Sequence, residues 1–546
     1  MLAARLSRLS VMAALAVLCL VAAACGSGSG SGSAKASGPA ADGATDPPTT
    51  VGSATNLPGV PTSAASSQDS TVVSQAVAPG SPAGTVHMSF KVGPIVVKPG
   101  QNSINYSGGS IPRPTQDGWI LRMSPNIRRA DGSVPPVDVI HLHHGVWLNL
   151  SARDATSPGL PERFFAAGEE KTVEVLPPGY GYRFRTGDRW LLNYMVHNLT
   201  PTQDTVFLTY DIDFLPASAP AAKAITPAHP VWMDVRNGEI YPVFDVHKGS
   251  GTNGTFTYPD QAVDPYPGAK LNQWTVPTDS VLIGTGGHLH PGGLHDDLWL
   301  DRAGRTAHLF ESDAHYYEPA GAVSWDVAMS VTNDDYRVAL KKGDVLRTTT
   351  TYDSKRASWY ESMGIMVSWL ADAAAPTDPK PAPDPFVTKV DGAGHLTHGH
   401  LPENDHHGGG KATLTDLTKA LTAPGKSPVD IGGFLYDQGD MSQKGPVPTV
   451  RQGQSLTFLN TEADQGNGIW HTITACKEPC NQETGIAYPL ADGSIDFDSG
   501  QLGTSGPPTA GRDDWKTPTD LPVGTYTYFC RVHPFMRGAF TVIASS

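Results

Sequence analysis

The sequence has few charged residues and no excess of basic ones. Of its 546 residues, 17% are Asp, Glu, Lys or Arg, compared with about 25% in an average soluble domain. The 39 Lys and Arg residues are outnumbered by 53 Asp and Glu residues, so the formal net charge is −14. A nucleic-acid-binding surface needs clustered basic side chains that neutralise phosphates. The acidic balance therefore argues against nucleic acid as a partner.

Long amphipathic helical patterns are also scarce. Between about residues 85 and 372, short alternating apolar runs are separated by Gly, Pro, Asn and Asp, which is typical of β-strands joined by turns. The Gly and Pro content, 58 and 47 residues, fits turn-rich β domains with flexible linkers. The sequence predicts an all-β fold with one sandwich over 85–222 and a second over 223–372. A Pro- and His-rich linker is predicted over 373–427 and a last β domain over 428–546.

The N-terminus has the features of an export signal. Arg5 and Arg8 precede an apolar stretch, Val11–Ala24, that is too short to span a bilayer comfortably as a helix. The stretch ends at Cys25 in a sequence that resembles a bacterial lipobox, although an Ala occupies a position usually held by Leu. We therefore expect residues 1–25 to be a signal peptide and Cys25 to be lipidated. The alternative is an ordinary signal peptide with an incidental Cys.

The next segment, residues 26–84, is rich in Gly, Ser, Ala, Pro and Thr and has almost no large apolar side chains. Such a segment cannot bury enough surface to offset the conformational entropy lost on ordering. We therefore expect a disordered tether. Together with a lipidated Cys25, it would hold the folded domains on the outer face of the cell membrane.

Five cysteines are present, and four of them have roles that are typical of an exported protein. Cys19 lies inside the signal peptide and Cys25 is the lipidation candidate. Cys476 and Cys480 are close together in an exported chain, which favours a local disulfide over a metal-binding pair. Cys530 is then left over, and an odd cysteine in an exported protein needs an explanation.

Cys530 lies between two predicted strands in a loop with Cys-x2-His-x2-Met spacing, completed by His533 and Met536. A second histidine, His471, follows Gly-Ile-Trp on an upstream predicted strand. Two imidazoles and a thiolate, with a distant thioether, are the ligands of blue-copper electron-transfer sites. The alternative is a structural β sandwich with a buried Cys and stray His and Met residues.

This region resembles the plastocyanin/cupredoxin family. The resemblance covers residues 428–546 and implies a Greek-key β sandwich that transfers electrons. It also implies one type 1 (blue) copper with the ligands His471, Cys530, His533 and Met536. An insertion that carries Cys476 and Cys480 departs from the family pattern.

A multicopper oxidase is a weaker interpretation of the same loop. Those enzymes join the blue site to a further copper cluster through a His-Cys-His run. Here Phe529 and Arg531 flank Cys530, so the direct relay is missing.

Histidines recur in the central region in spacings that suit metal binding. They are His141, His143 and His144 in one predicted strand, His197 in a second, and His288 and His290 in a third. His-x-His on a strand places both imidazoles on one face because side chains alternate. Such a pair can bind copper or zinc. Surface histidines, or histidines satisfied in the core, are the alternative.

The order of these histidines, followed by Met363 in a late strand, resembles the copper type II, ascorbate-dependent monooxygenases. These are the relatives of peptidylglycine α-hydroxylating and dopamine β-monooxygenases. The segments Leu176–Phe184 and Lys342–Leu346 fit the same resemblance. It implies two jelly-roll-like sandwiches, one copper that supplies electrons and one that binds O2. By this resemblance the first copper is held by His143, His144 and His197, with His141 as the alternate, and the second by the catalytic His288, His290 and Met363.

The central region departs from that family in three ways. It contains no Cys, whereas the family is rich in disulfides, and residues that anchor a peptide carboxylate or a catecholamine are not recognisable. Strand alternation pairs His141 with His143, whereas the family pairs His143 with His144. Met366 is a second methionine close to Met363, but alternation puts the two on opposite faces of the strand.

Together, these patterns predict an exported copper-binding oxidoreductase with one type 1 copper and up to two more. The cupredoxin-like domain would pass electrons to the central coppers, where activated O2 would hydroxylate a C–H bond of an unknown organic or peptide substrate. A redox partner, or a small reductant such as ascorbate, would supply the electrons. The alternative is a non-catalytic electron-transfer or copper-carrying lipoprotein on a degenerate monooxygenase scaffold. The linker histidines, His395–His407, are either solvated or a weak copper-collecting run.

Overall fold

The regular structure of this chain is almost entirely β. The computed structural model describes residues 77–137, 139–236, 242–262, 272–317, 325–355, 358–390, 392–397, 420–463, 469–475, 497–503, 512–533 and 535–545. All of these belong to one compact unit, Pro61–Ser546. Within them the elements are strands apart from one 3-10 helix, Pro220–Ala224, which confirms the predicted all-β class. No helical segment among the described residues has the length and hydropathy of a membrane span.

Several predictions fall on residues outside these ranges. They are the signal peptide with Cys19 and Cys25, most of the tether 26–84, the Cys476–Cys480 pair, and the linker histidines His398, His400, His406 and His407. Those predictions remain as stated above.

The first sandwich consists of two sheets with an aromatic core between them. Its strands are β1 (Val86–Val97), β2 (Asn102–Tyr106), β3 (Gly118–Arg129), β4 (Ile140–Arg153), β5 (Pro161–Ala167), β6 (Glu174–Val175), β7 (Tyr180–Phe184), β8 (Trp190–Asn198) and β9 (Asp204–Pro216). One sheet has the order β1-β9-β3-β7 and the other β2-β8-β4-β5. Every second residue of β9 from Val206 to Phe214 is fully buried, as a period of two predicts. Tyr210 of β9 meets Trp147 of β4 across the core, with ring centroids 5.5 Å apart.

The second sandwich continues from the first through shared hydrogen bonds. Its strands are β10 (Thr226–Asp234), β11 (Phe244–Val246), β12 (Thr255–Tyr258), β13 (Gln273–Thr275), β14 (Ser280–Leu289), β15 (Gly293–Arg302), β16 (Arg305–Tyr316), β17 (Val327–Thr332), β18 (Val338–Leu340), β19 (Val345–Asp353), β20 (Trp359–Ser362), β21 (Gly364–Ala371) and β22 (Gly394–Leu396). β10 pairs in parallel with β7 and antiparallel with β21. The sheet path then runs β21-β14-β17-β16-β15-β19-β12. Leu298, Leu346 and Met366 lie in its apolar core.

The described residues of the predicted linker before 398 pack against both sandwiches, whereas Thr422–Pro424, near the end of the predicted linker, forms a strand of the last domain. The carboxylate of Asp378 accepts hydrogen bonds from Arg337 at 2.6 Å and from the Tyr180 hydroxyl at 2.8 Å. β22, which contains His395, pairs with β17. The linker therefore contributes contacts to the central region.

The last domain has two sheets that face each other across a separate core. Its strands are β23 (Thr422–Pro424), β24 (Val429–Gly432), β25 (Leu435–Tyr436), β26 (Val447–Arg451), β27 (Thr457–Asn460), β28 (Thr474–Ala475), β29 (Asp514–Lys516), β30 (Gly524–Phe529) and β31 (Arg537–Ile543). The sheet orders are β23-β26-β31-β30-β28 and β25-β24-β27-β29. Cys530, Met536, Phe458 and Phe540 share the buried core.

Candidate metal centres

The C-terminal domain brings a thiolate and two imidazoles to one buried point. β30 ends at Phe529, so the strand delivers Cys530 into the short loop that leads to β31. The Sγ atom of Cys530 lies 3.7 Å from Nδ1 of His471 and 3.7 Å from Nδ1 of His533, and the two Nδ1 atoms are 3.2 Å apart. Ligands bonded at about 2.0–2.3 Å to one ion in a trigonal plane lie about 3.5–3.8 Å apart. The two sulfur–nitrogen distances lie in this range and the nitrogen–nitrogen distance is slightly shorter, so the three side chains are arranged to hold a single copper ion.

Backbone hydrogen bonds fix the shape of this loop. The Cys530 N–H donates to the Met536 carbonyl at 3.1 Å, and the Met536 N–H donates to the His533 carbonyl at 2.9 Å. Met536 is 1% exposed and belongs to the same apolar core as Cys530. The loop thus holds all three of its predicted ligands in a buried, tightly closed turn.

The surrounding charges favour the thiolate form of Cys530. Burial alone would raise the pKa of this thiol, but His471 and His533 hold that pKa well below its usual range. Burial likewise opposes protonation of His471, yet Cys530 and the Glu462 carboxylate raise its pKa to about 9. Glu462 Oε2 lies 3.0 Å from His471 Nε2, so it orients the imidazole with Nδ1 toward the sulfur. The Thr472 N–H also donates to the Cys530 sulfur, at 3.4 Å.

The first central cluster gathers His141, His143 and His197. His141 and His197 stand directly opposite each other on β4 and β8, and their ring centroids are 4.9 Å apart. A β-bulge shifts the register between Leu142 and His144, and His143 occupies that bulge. One ligand atom from each of the three histidines lies within 4.8 Å of the other two.

Hydrogen bonds to nearby groups use one ring nitrogen of His141 and one of His143, and they set the direction of these two rings. Nδ1 of His141 lies 3.2 Å from the Val137 carbonyl, and Nδ1 of His143 lies 2.9 Å from Oδ1 of Asn102. Nε2 of His141 and both ring nitrogens of His197 are buried with no hydrogen-bond partner among the described residues. Burial lowers the pKa of His141 to about 3 and the pKa of His197 well below its usual range. These imidazoles are therefore neutral, which is the form that binds metal.

His144 is not part of the first central cluster. Its Nε2 atom lies 3.0 Å from Oδ1 of Asn193, and it is absent from the group of converging ligand atoms. The structure thus brings the alternate His141 together with His143 and His197. The family pattern names His144 at that position.

The second central cluster lies at the end of β14. Nδ1 of His288 is 3.0 Å from Oε1 of Glu170, and Nδ1 of His290 is bonded to the Glu361 carbonyl. The Nε2 atoms of both histidines are buried and have no hydrogen-bond partner among the described residues. The two rings are 5.3 Å apart, so both imidazoles can face one ion.

Met363 lies close to this cluster through the backbone. The Tyr352 hydroxyl donates to the Met363 carbonyl at 2.6 Å and accepts the N–H groups of Met363 at 2.9 Å and His290 at 3.1 Å. The Met363 side chain packs with Trp232, Val243 and Ile365, whereas Met366 lies in the core of the second sandwich. The two methionines are therefore on opposite faces.

The two central clusters adjoin each other. The rings of His143 and His290 are 4.6 Å apart. Trp325 lies against three of the imidazoles, with centroids 4.8 Å from His141, 4.6 Å from His143 and 4.9 Å from His290. The sequence predicts two separate sites for these histidines. It does not show how the two sandwiches pack together, and nothing in it marks Trp325 as a residue that contacts both clusters.

A buried acidic loop, which the sequence analysis did not identify, supports both clusters. It follows β5 and contains Glu169, Glu170 and Lys171, which are at most 3% exposed. Glu169 accepts the Leu142 N–H at 2.8 Å, and Glu170 holds His288. Two adjacent glutamates before a lysine resemble any solvated turn, so the sequence carried no signal for this role.

The cupredoxin-like domain lies directly against the first cluster. The rings of His533 and His197 are 6.1 Å apart and meet edge to face. Gly100 makes this approach possible, since it has a φ of +61° and a Cβ there would lie 2.4 Å from the Phe434 ring and 3.0 Å from His533 Nε2. His533 is 0% exposed, and Gly100 and Phe434 are among the residues that cover its ring.

A cavity of about 110 Å³ lies between the central region and the last domain. Its lining includes His143, His197, His290, Trp325, Trp359 and Arg531. Imidazoles from both central clusters thus face a space that the cupredoxin-like domain closes on one side.

No protein-family profile matches the chain, and no curated protein matches it. Among solved structures, an amicyanin variant in its oxidised state is similar at 21% identity, over 24% of this chain and 93% of its own length, with a TM-score of 0.14. The copper-containing nitrite reductase of Thermus scotoductus is similar at 12% identity, over 50% of this chain and 59% of its own length, with a TM-score of 0.15. The STIV MCP is similar at 8% identity, over 54% of this chain and 96% of its own length, with a TM-score of 0.26. TM-scores this low carry no functional argument. The last domain is described as a cupredoxin-like element because of its two sheets and its Cys-His-Met loop.

Proposed function

We propose that this chain is a copper oxidoreductase in which the C-terminal centre passes electrons to the central histidines. The observation that carries the proposal is the contact between His533 and His197, whose rings are 6.1 Å apart. Each imidazole belongs to a different group of converging ligand atoms. An electron therefore has a short path from one candidate copper site to the other.

The burial of His533 supports an acceptor within the same chain. A centre that only shuttles electrons between proteins needs an exposed ligand edge where a partner can dock. Here His533 is 0% exposed, and the turn around Gly100 lies against it. In this proposal the central region takes the role of the electron acceptor.

Copper would supply a one-electron couple at the C-terminal site and an O2-reactive reduced ion at the central site. Cys530, His471 and His533 would hold the first ion, with Met536 as the distant ligand. His141, His143 and His197 would hold the electron-receiving central ion, and His288 and His290, with Met363, would hold the O2-reactive one. Because His143 and His290 are 4.6 Å apart, we propose that the central sites act as one coupled centre.

Hydroxylation of a C–H bond is the reaction that we propose for the central centre, following the monooxygenase resemblance. Pockets that enclose a whole organic ligand measure about 300–1,000 Å³. The cavity beside the imidazoles measures about 110 Å³. An organic substrate would therefore present a single C–H group to this space while most of the molecule stays outside it.

The decisive experiment follows the blue absorption band of the full-length, copper-loaded protein. The protein is reduced without oxygen and mixed with O2, and the return of the blue band is timed. We expect rapid return in the wild type and slow return in His288→Ala and His290→Ala, in which the blue-site ligands are intact. Equal rates in all three proteins would contradict the proposal and favour the copper-carrying alternative.

Copper stoichiometry tests the same alternative without any reaction. About three copper ions per chain are expected for the enzyme, and one is expected for a carrier that has lost its central sites. Loss of the thiolate ligand in Cys530→Ser should abolish the blue band and leave the central copper bound.

We also propose that the chain is exported and anchored to the outer face of the cell membrane through a lipid on Cys25. The support for this is the lipobox-like sequence and the composition of residues 26–84. The mature wild-type protein should begin at Cys25 and partition with membranes, whereas Cys25→Ala should be released or left unprocessed. A soluble wild-type product with another N-terminus would contradict the anchor.

A further inference from the structure

A second group of potential metal ligands lies on the β15–β16 hairpin, apart from both redox clusters. His295 and Asp297 are two residues apart on β15 and therefore share a face. Asp297 stands opposite Glu311 in the β15–β16 register, and His295 stands opposite Asp313. Two neighbouring strands thus present an imidazole and three carboxylates on one side of the sheet.

The ligand atoms of this group converge. Nδ1 of His295 lies 3.3 Å from Oδ2 of Asp297 and 3.7 Å from Oε2 of Glu311. The ligand atoms of the three residues all lie within 4.8 Å of one another. Nitrogen and oxygen ligands at about 2.0–2.1 Å from a tetrahedral zinc ion are about 3.3–3.4 Å apart. The observed spacing is close to that value.

His295 directs one ring nitrogen toward two carboxylates. Its Nδ1 atom is buried and lies within 3.7 Å of two carboxylate oxygens, one from Asp297 and one from Glu311. A divalent ion bound between these three atoms would replace the imidazole proton and neutralise the two carboxylates.

His308 fixes Asp297 from the other side. Nε2 of His308 lies 2.7 Å from Oδ1 of Asp297, the oxygen that does not face His295. The His308 ring is itself held against Trp299, with centroids 4.5 Å apart. Metal-binding carboxylates commonly carry such an outer hydrogen bond, which sets their direction.

We propose that His295, Asp297 and Glu311 form a binding site for a borderline divalent ion, zinc or copper(II), with His308 as a positioning residue. Mixed imidazole and carboxylate ligands suit these ions. The side chains of His295 and Glu311 are 26% and 46% exposed, so the site opens to solvent. It is therefore an exchangeable site with room for a non-protein ligand, unlike the buried redox clusters.

Zinc titration of the copper-loaded, full-length protein tests this assignment, after dialysis against a weak chelator that removes exchangeable copper and leaves the buried copper bound. Calorimetry should detect one zinc ion per chain, with the blue band unchanged. Glu311→Gln changes a half-exposed side chain and should weaken zinc binding by more than the 10–100-fold expected for loss of an outer-shell partner. His308→Ala should weaken binding by about 10–100-fold.

The matched control is His229→Ala. His229 lies 3.9 Å from Asp372 in an exposed pair elsewhere on the second sandwich. This variant should bind zinc as the wild type does. Equal zinc binding by the wild type and Glu311→Gln, no zinc binding by the wild type, or zinc uptake that bleaches the blue band would overturn the assignment. The first two of these outcomes leave the proposed electron transfer between the redox clusters untouched.

Discussion

The guanidinium of Arg531 lies over the indole ring of Trp359, 5.1 Å from its centroid. Arg531 directly follows Cys530 in the chain, at a position where a histidine would complete the relay of a multicopper oxidase. Trp359 lies two residues before Glu361, whose carbonyl accepts the Nδ1 hydrogen bond of His290. The side chain of Arg531 therefore joins the thiolate loop to the segment that holds the second central cluster.

The first prediction concerns this contact. Arg531→Gln removes the stacking on Trp359 and the 2.6 Å hydrogen bond to the Ser358 carbonyl. The blue band should be unchanged because no ligand is altered. Its return after mixing the reduced protein with O2 should slow several-fold, because the two regions are less tightly coupled.

Arg512→Gln is the control for that variant. Arg512 lies in the same domain and donates to the Ser499 carbonyl at 2.5 Å. If Arg531→Gln and Arg512→Gln recover their colour at the same rate, the contact with Trp359 has no part in electron transfer.

The second prediction separates the geometry of the first cluster from the family pattern. His141 contributes a converging ligand atom, whereas His144 is bonded to Asn193. His141→Ala should therefore lose one copper ion per chain, and His144→Ala should retain it. Copper content measured after dialysis, with the blue band as the internal reference, checks both. Copper loss in His144→Ala alone would restore the family assignment.

The sequence predicts those parts of the site whose residues lie close together along the chain. Cys530, His533 and Met536 lie in one short loop between two strands, so spacing and strand pattern define them together. Period-two alternation also predicts that His141 and His143 share a face, and the structure groups them, although His143 lies in a β-bulge that the sequence does not indicate. These conclusions needed no knowledge of packing between domains.

The supporting residues could not be predicted in the same way. Glu170 and His288 belong to different sandwiches, and Trp325 meets histidines from both. Their proximity depends on how the sheets join through β7, β10 and β21. The turn at Gly100 also has an unremarkable sequence, and its importance is visible only where Phe434 and His533 lie against it.

The third prediction concerns Glu170. Glu170→Gln retains the size of the side chain but loses the charge that orients His288 and makes its imidazole a stronger ligand. Copper affinity of the second central cluster should fall by about 10–100-fold, while the blue site is unaffected. Glu162→Gln is the control, since Glu162 is a partly buried glutamate that accepts a hydrogen bond from the Tyr182 hydroxyl at 2.6 Å. Equal copper affinity in Glu170→Gln and Glu162→Gln would contradict this role.

The last prediction tests the packing of the two sandwiches without reference to copper. Arg163 of the first sandwich lies 2.8 Å from Asp154 and 3.0 Å from Asp234 of β10, and all three side chains are at most 7% exposed. Burial raises the pKa of Asp234 to about 6, although Arg163 opposes that shift. Loss of one member of a buried ionic network leaves the others uncompensated, which destabilises a protein by about 3–5 kcal/mol. Arg163→Met should therefore lower the free energy of unfolding by about that amount, measured by urea denaturation with tryptophan fluorescence.

Arg129→Met is the matched control for this change. Arg129 pairs with Asp204 at 2.9 Å, but both side chains are 30% exposed, so water can replace the lost partner. Such exposed pairs contribute about 0–1 kcal/mol. A much larger effect for Arg163→Met than for Arg129→Met is expected because only the first change strands carboxylates in the interior, at the contact between β5 and β10. Equal effects would mean that this ionic network does not hold the two sandwiches together, and the close approach of the two histidine clusters would then depend on their apolar contacts alone.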